Sequence, residues 1–223
     1  MYRLVYAQED GDTYRDLTHG KRLFLAPKLT KVFSPGTRLN LDFEYLRTSV
    51  TNDPNVPIAV GDALPIRVPA SYFLGEPWAA NEVRKRAARA MLDYRFKPNW
   101  SVRQSMVGVI NDADKHTIAL TGTIDPVRPV MTKQDGAQII NLRFLLVQGD
   151  IVGRVQTGPF NHRRLAGYEM NLDSASDDVN NSPILGGFNV YRPSTTTPAA
   201  RARCGSSFPS CKSIPRSAPR PKS

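Results

Sequence analysis

The chain has few cysteines, and their scarcity excludes two classes of small protein. Only Cys204 and Cys211 occur among the 223 residues, and both lie near the C-terminus. Two thiols do not make the disulfide framework of a small secreted domain, and without further Cys or His nearby they are too few for a zinc site. We interpret them as unpaired thiols, with any further role left open.

Long apolar segments are missing as well. No stretch approaches the roughly 20 apolar residues of a membrane-spanning helix. The first ten residues contain no apolar run followed by a small-residue cleavage site, so they do not resemble a signal peptide. We therefore expect a protein that is used inside a cell and is not secreted, with peripheral contact to a membrane surface left open.

Motifs of catalysis are missing too. The sequence contains no glycine-rich phosphate loop, no His-Glu-x-x-His zinc motif and no Gly-x-Ser-x-Gly nucleophile motif. Asp112, Asp114 and His116 alternate, so on a strand they would share a face and could bind a metal. Asn and Asp are also typical of hairpin turns, and we favour a turn here. We expect no enzymatic activity, no small-molecule substrate, no cofactor and no metal site.

Positive charge, by contrast, is abundant. The formal net charge is +10, which favours anionic partners such as nucleic acid. Residues 192–223 contain seven Lys and Arg and no Asp or Glu, in a segment rich in Pro and Ser. This composition predicts a disordered tail that either binds polyanions by counterion release or only aids solubility. Its candidate nucleic-acid-binding residues are Arg201, Arg203, Lys212, Arg216, Arg220 and Lys222. For the basic run His162–Arg164 we favour a solvated loop over a phosphate contact.

One segment, residues 79–93, predicts a helix. Val83, Ala87, Met91 and Tyr94 recur at helical spacing and would share one face. The cationic residues that lie mostly off this face are Arg84, Lys85, Arg86 and Arg89. Arginine offers a planar fork of donors to phosphate, so these residues form a candidate nucleic-acid-binding surface, with an ordinary solvated helix face as the alternative. After residue 93 the alternating aromatics predict a strand, and Pro98-Asn99 predicts a turn.

Most of the remaining sequence predicts short strands. Residues 38–50 and 138–147 alternate apolar with polar side chains, which is typical of strands with one buried face. Three polar breaks predict turns or connections between strands, namely Gly61-Asp62, residues 111–116 and Gly149-Asp150. About nine or ten short strands predict an all-β fold, an antiparallel β-sandwich or jelly-roll-like barrel with one inserted helix. We assign this domain to residues 1–191.

The order of motifs resembles the thirty-kilodalton superfamily of plant-virus movement proteins over about residues 60–155. In that family a segment ending in Phe-x-Phe leads into a Pro-Asn-aromatic turn and a strand. The corresponding residues here are Tyr94-Arg95-Phe96-Lys97-Pro98-Asn99-Trp100-Ser101-Val102. A hydrophobic strand, a short turn and an aliphatic strand follow in the family. Here they correspond to Asn141-Leu142-Arg143-Phe144-Leu145-Leu146-Val147, Gly149-Asp150 and Ile151-Val152-Gly153.

The resemblance implies a protein that binds single-stranded nucleic acid without sequence specificity, with RNA favoured over DNA. It also implies self-association, contact with membranes, and a location in the host cytoplasm and at plasmodesmata, where viral genomes pass between cells. A small viral coat protein with a jelly-roll fold that packages RNA is the alternative. A host β-sandwich module that binds other proteins is a third interpretation.

Overall fold

A single antiparallel sheet contains all the strands in the part of the chain that the structure describes. This computed structural model describes residues 1–55, 68–122 and 130–195, apart from the side chains at positions 182 and 183. Seven strands follow one another in the sheet in sequence order. They are β1 (Tyr2–Asp12), β2 (His19–Ser34), β3 (Thr37–Thr51), β4 (Ala80–Lys97), β5 (Trp100–Thr121), β6 (Val130–Thr157) and β7 (Phe160–Asn189).

The two ends of this sheet differ in their connections. At one end, here called the turn end, two-residue turns join β2 to β3, β4 to β5 and β6 to β7. Pro98-Asn99 forms the second of them, as the sequence predicts, and Gly158 in the third adopts a φ of 59°, which glycine tolerates. At the other end, here called the loop end, the connections are longer and comprise residues 13–18, 52–79 and 122–129.

The strands are much longer than the sequence pattern predicts. β5, β6 and β7 contain 22, 28 and 30 residues, whereas strands of globular proteins usually have about 3–10. The all-β, antiparallel prediction is confirmed, and β3 coincides with the predicted strand at residues 38–50. The predicted sandwich or jelly roll is wrong for the described residues, because these folds need a second packed sheet and only one sheet is present.

Two predicted turns are in fact continuous strand. Gly149 of β6 pairs with Gln104 of β5 and with Tyr168 of β7, so the ladder runs through Gly149-Asp150 without a break. Residues 111–115 of β5 likewise pair on both sides, and His116 pairs with Ala137 of β6. Turn-forming residues do not end a strand when neighbours on both edges hold their backbone groups, because pairing outweighs local preference. The predicted turn at Gly61-Asp62 lies outside the described residues.

The predicted helix at residues 79–93 is also wrong. Residues 80–93 belong to β4, which pairs with β3 along one edge and with β5 along the other. Ala, Arg and Lys favour helices by only a few tenths of a kcal/mol per residue, and two complete ladders outweigh that preference. Across the described ranges, no helix has the length and apolar character needed to cross a membrane.

A small core lies at the loop end, where the connecting segments fold against the sheet. Leu74, Met131, Phe188 and Val190 form a buried cluster, and the partly buried Tyr72 packs against it. Leu74 comes from the connection between β3 and β4, whereas Val190 follows β7 directly. The cluster therefore holds the last residues of that connection and the segment after β7 against the ends of β6 and β7.

Cross-linking tests the strand assignment of β4. Ala87 lies directly opposite Val109 of β5, and antiparallel partners have Cα atoms about 4.5–5.5 Å apart, within disulfide range. With Cys204 and Cys211 replaced by Ser, we expect Ala87→Cys/Val109→Cys to oxidise to an internal disulfide that mass spectrometry detects. The control Ala87→Cys/Ile110→Cys places its thiols on opposite faces and should stay reduced. Equal oxidation of both pairs would contradict the register.

Candidate functional site

One face of the sheet carries a continuous band of uncharged side chains. Cross-strand partners point to the same face, so the register assigns every second residue of each strand to one side. The band has one segment on each strand, and in each segment it comprises the first residue and every second residue after it. The seven segments are 2–6, 23–29, 39–45, 88–94, 100–110, 145–151 and 166–172. None of these residues is charged, and we call the set the apolar band.

Many side chains of the apolar band are exposed in this chain. Leu4, Met106 and Leu172 remain 65%, 50% and 55% exposed, although they belong to three well-separated strands. Soluble proteins rarely leave so wide an apolar surface in water, and such surfaces mark contact with another protein or with lipid. The apolar band is therefore a binding surface rather than an interior core.

Aromatic rings line the apolar band on its turn-end side. The ring centroids of Tyr94 and Phe96 are 6.2 Å apart, and those of Phe96 and Trp100 are 6.4 Å apart. Trp100 lies across Gly153 of β6, where a Cβ atom would overlap the indole ring. Tyrosine and tryptophan have an apolar body and a polar tip, so they suit a boundary between an apolar phase and water.

Gln104 is a polar side chain within the apolar band, and a neighbour satisfies it. The Tyr168 hydroxyl donates a hydrogen bond of 2.7 Å to Gln104 Oε1. The Tyr168 ring reaches that atom by lying across Gly149, where a side chain would overlap it. Because an unsatisfied polar group in an apolar phase is costly, this bond lowers the cost of placing the Gln104 carbonyl oxygen within the band.

The opposite face is charged, and we call it the polar face. Near the turn end, Arg38, Asp93, Arg103 and Asp150 follow one another across β3, β4, β5 and β6 as direct cross-strand partners. Arg103 Nε and Asp93 Oδ1 lie 2.6 Å apart. Opposite charges on neighbouring strands attract, so the ladder stabilises this face while keeping it hydrated. Near the turn end, the sheet thus separates an uncharged surface from a charged one.

A buried ion pair lies at the loop end. Lys133 of β6 and Glu76 of the long connection are 2% and 0% exposed at their side chains, and Lys133 Nζ lies 2.8 Å from Glu76 Oε1. Lys133 Nζ also donates to the carbonyl oxygens of Gly75 and Ser194, at 3.2 Å each. It lies 4.7 Å above the ring of Phe188. One ammonium group therefore ties two connecting segments to the sheet.

Tyr72 adds a second tie between the same two segments. Its hydroxyl donates a 2.6 Å hydrogen bond to the carbonyl oxygen of Val190. Burial of the phenol raises the pKa of Tyr72, because the charged phenolate would lose hydration. Tyr72 is accordingly a neutral donor at neutral pH.

The cations predicted to share a helix face lie on both faces of β4. Arg84 and Arg86 are on the apolar-band side, beyond the band itself, while Lys85 and Arg89 are on the polar face. Arg86 Nη2 lies 2.6 Å from Asp112 Oδ2, and Arg84 Nη2 lies 3.5 Å from Glu82. The four residues therefore do not form one basic surface. The predicted tail residues Arg201, Arg203, Lys212, Arg216, Arg220 and Lys222 lie outside the described residues.

Asp112, Asp114 and His116 lie on a strand and share a face, contrary to the predicted turn. Asp112 bonds to Arg86, and His116 Nδ1 lies 3.6 Å from the buried Asp135. Within the residues that the structure describes, no group of three or more His, Cys, Asp or Glu could hold a metal ion.

Comparison with curated proteins finds bacterial receptors. The chain is similar to the metal-pseudopaline receptor CntO of Pseudomonas aeruginosa, with 26% identity over 173 residues, which are 76% of this chain and 24% of CntO. The chain thus spans about a quarter of the length of the curated relatives it matches. No family model matches the chain.

Comparison with solved structures gives the same class of fold. The ferripyoverdine receptor of the outer membrane of Pseudomonas aeruginosa superimposes with a TM-score of 0.69 at 16% identity, over 80% of this chain and 24% of that one. The ferric-catecholate import receptor Fiu of E. coli K12, in its open form, gives 0.69 at 17% identity, over 88% and 33%. At these identities the likeness shows a shared fold, an antiparallel sheet like that of the receptors.

These comparisons overturn the functional predictions made from the sequence. The similar proteins are bacterial receptors, so the resemblance to plant-virus movement proteins is wrong, and so is the coat-protein alternative. The predicted nucleic-acid partner and the location in host cytoplasm and plasmodesmata are wrong for the same reason. The resemblance depended on loose hydrophobic patterns, which any long amphipathic strand reproduces.

The buried ion pair generates a testable prediction. Replacing Lys133 with Met would leave the Glu76 carboxylate buried without its ammonium partner, at a cost of about 3–5 kcal/mol. We expect amide hydrogen exchange in residues 72–79 to accelerate strongly in Lys133→Met and only slightly in the exposed control Lys31→Met. The double variant Lys133→Met/Glu76→Gln should recover much of the protection. Unchanged exchange in Lys133→Met would show that the pair does not hold this segment.

Proposed function

We propose that the chain forms seven adjacent strands in the wall of a β-barrel in a bacterial outer membrane. The barrel belongs to a receptor of the TonB-dependent class that imports complexes of a metal with a small chelator. The observation that carries this proposal is the apolar band, which crosses all seven strands on one face without a charge.

The dimensions of the apolar band support a membrane-spanning role. A transmembrane β-strand needs about 9–11 residues when it is tilted by roughly 45°. The band occupies residues 88–94 of β4 and residues 100–110 of β5, and the aromatic row adds Phe96 at its edge. Within the bilayer every backbone polar group needs a partner, and the continuous pairing of neighbouring strands supplies one.

The asymmetry of the connections supports an orientation. Outer-membrane barrels have short turns on the periplasmic side and longer loops on the extracellular side. The turn end would therefore lie in the periplasm, and the loop end, with its buried Lys133–Glu76 pair, would lie outside the cell. The long strands β6 and β7 would extend beyond the bilayer on the loop side.

The polar face would line the interior of the barrel. Its charged row supports contact with water or with a polar cargo rather than with lipid. On their outer edges β1 and β7 pair with no strand among the described residues, and a barrel closes only when such edges find partners. Further strands therefore complete the wall.

The names of the similar proteins support the kind of cargo. CntO is a metal-pseudopaline receptor, and the structural neighbours include receptors for ferripyoverdine and for ferric preacinetobactin. All three names combine a metal with a small organic chelator. A receptor wall binds and guides such a complex without chemical conversion, so this chain would not be an enzyme.

Paired substitutions to arginine test the membrane-spanning role. Ala90 lies within the apolar band, opposite Leu41 and Met106, whereas Ala87 of the same strand lies on the polar face, opposite Glu44. Arginine on the lipid face near the bilayer midplane costs about 2–4 kcal/mol, and lumen positions tolerate it. We expect Ala90→Arg to reduce folding into lipid vesicles roughly tenfold or more, by resistance to protease, with Ala87→Arg unchanged.

Equal behaviour of the two variants would contradict the proposal. If both fold as well as the unmodified chain, the apolar band does not contact lipid. If neither variant folds into vesicles, β4 tolerates arginine on neither face, and the apolar band does not differ from the polar face in its contact with lipid. The two variants add the same charge to the same residue type, so helix or strand propensity cannot explain a difference.

A further inference from the structure

The polar face contains a groove at its turn end that is lined by arginines. The groove has a volume of about 560 Å³, within the range of about 300–1,000 Å³ that is typical of small-molecule sites. Arg38, Arg95, Arg103 and Arg163 lie along it, together with two carboxylates, Asp93 and Asp150. Four strands, β3, β4, β5 and β7, supply the four guanidinium groups.

The charges in this groove do not balance. Arg103 is paired with Asp93, but Arg95 and Arg163 form no ion pair with any carboxylate among the described residues. Arg163 lies directly opposite another cation, Arg154 of β6, on the same face of the sheet. Like charges that face each other across antiparallel strands destabilise the pairing. The arrangement is unfavourable for the sheet alone and becomes favourable when an anion lies between the guanidinium groups.

The location of the groove decides which kind of anion it takes. In the proposed barrel, phosphates of lipid headgroups would lie against the edge of the apolar band, on the opposite face of the sheet. The groove faces the side that would form the barrel interior, along which the cargo travels. A guanidinium group binds carboxylate and phosphate through two parallel hydrogen bonds, so several arginines in one groove suit a ligand with several such groups.

We propose that this groove is a binding site for a negatively charged metal–chelator complex whose chelator carries carboxylate groups. Arg95 and Arg163 contact the ligand carboxylates, and the charge-balanced row of Arg38, Asp93, Arg103 and Asp150 lines the groove beside them. The inference rests on the proposed function, because it assigns a charge and a chemical class to the imported cargo. It places a cargo site at the periplasmic end of the wall, where the complex leaves the barrel.

Calorimetry on the full chain in detergent micelles tests this site, with ferric citrate as the probe and inorganic phosphate as the comparison ligand. We expect ferric citrate to bind and Arg95→Gln/Arg163→Gln to weaken its binding by about tenfold or more, because the variant loses charge-assisted hydrogen bonds to the ligand carboxylates. The control Arg84→Gln/Arg164→Gln removes the same charge from the opposite face and should bind as the unmodified chain does.

Four results would overturn the inference. The first is that the unmodified chain fails to bind ferric citrate, and the second is that both double variants weaken its binding equally. The third is that inorganic phosphate binds as tightly as ferric citrate does, and the fourth is that an uncharged hydroxamate chelate of iron does so. Failure here is distinguishable from failure of the proposed function, because the Ala90→Arg and Ala87→Arg variants measure insertion into lipid without any cargo.

Discussion

Continuous backbone pairing along the seven strands underlies the other features of this structure. Each strand pairs with the next over most of its length, up to the 30 residues of β7. In an apolar phase an unpaired backbone group costs several kcal/mol, so only such a ladder would allow residues 100–110 to carry uncharged side chains into lipid, as we propose. The strict alternation of side chains then assigns Leu145 to the apolar band and Arg143 to the hydrated region beyond it.

Part of this fold is predictable from the sequence alone. The strand at residues 38–50 has a clean alternation, and Pro98-Asn99 is a strong turn signal, so both predictions are confirmed. The helix predicted at residues 79–93 is wrong because Ala, Arg and Lys carry helix propensity, whereas the pairing of β4 with two neighbours is a long-range effect. Gly149-Asp150 is a turn signal for the same local reason, although its neighbours hold it within a strand.

The candidate site is harder to predict than the strands. The apolar band appears only when the register of all seven strands is known, because each segment alone gives a weak alternation. In β6 the pattern is further obscured, since Leu142, Phe144 and Leu146 lie on the polar face next to Leu145 of the band. Alternation alone therefore predicts a strand at residues 138–147 with one buried face, which favours a sandwich with an apolar core. The arginine groove likewise depends on pairing, which brings Arg154 opposite Arg163.

Tryptophan fluorescence in brominated lipid can show whether the apolar band enters a bilayer, because the chain has two tryptophans at different heights. Trp100 lies at the turn-end edge of the apolar band, and Trp78 lies near His116 at the loop end. After folding into vesicles, we expect strong quenching by lipid brominated near the headgroup in Trp78→Phe, which retains Trp100. We expect little quenching in Trp100→Phe, which retains Trp78. Absence of quenching in Trp78→Phe, or equal quenching in both variants, would contradict the membrane-spanning band.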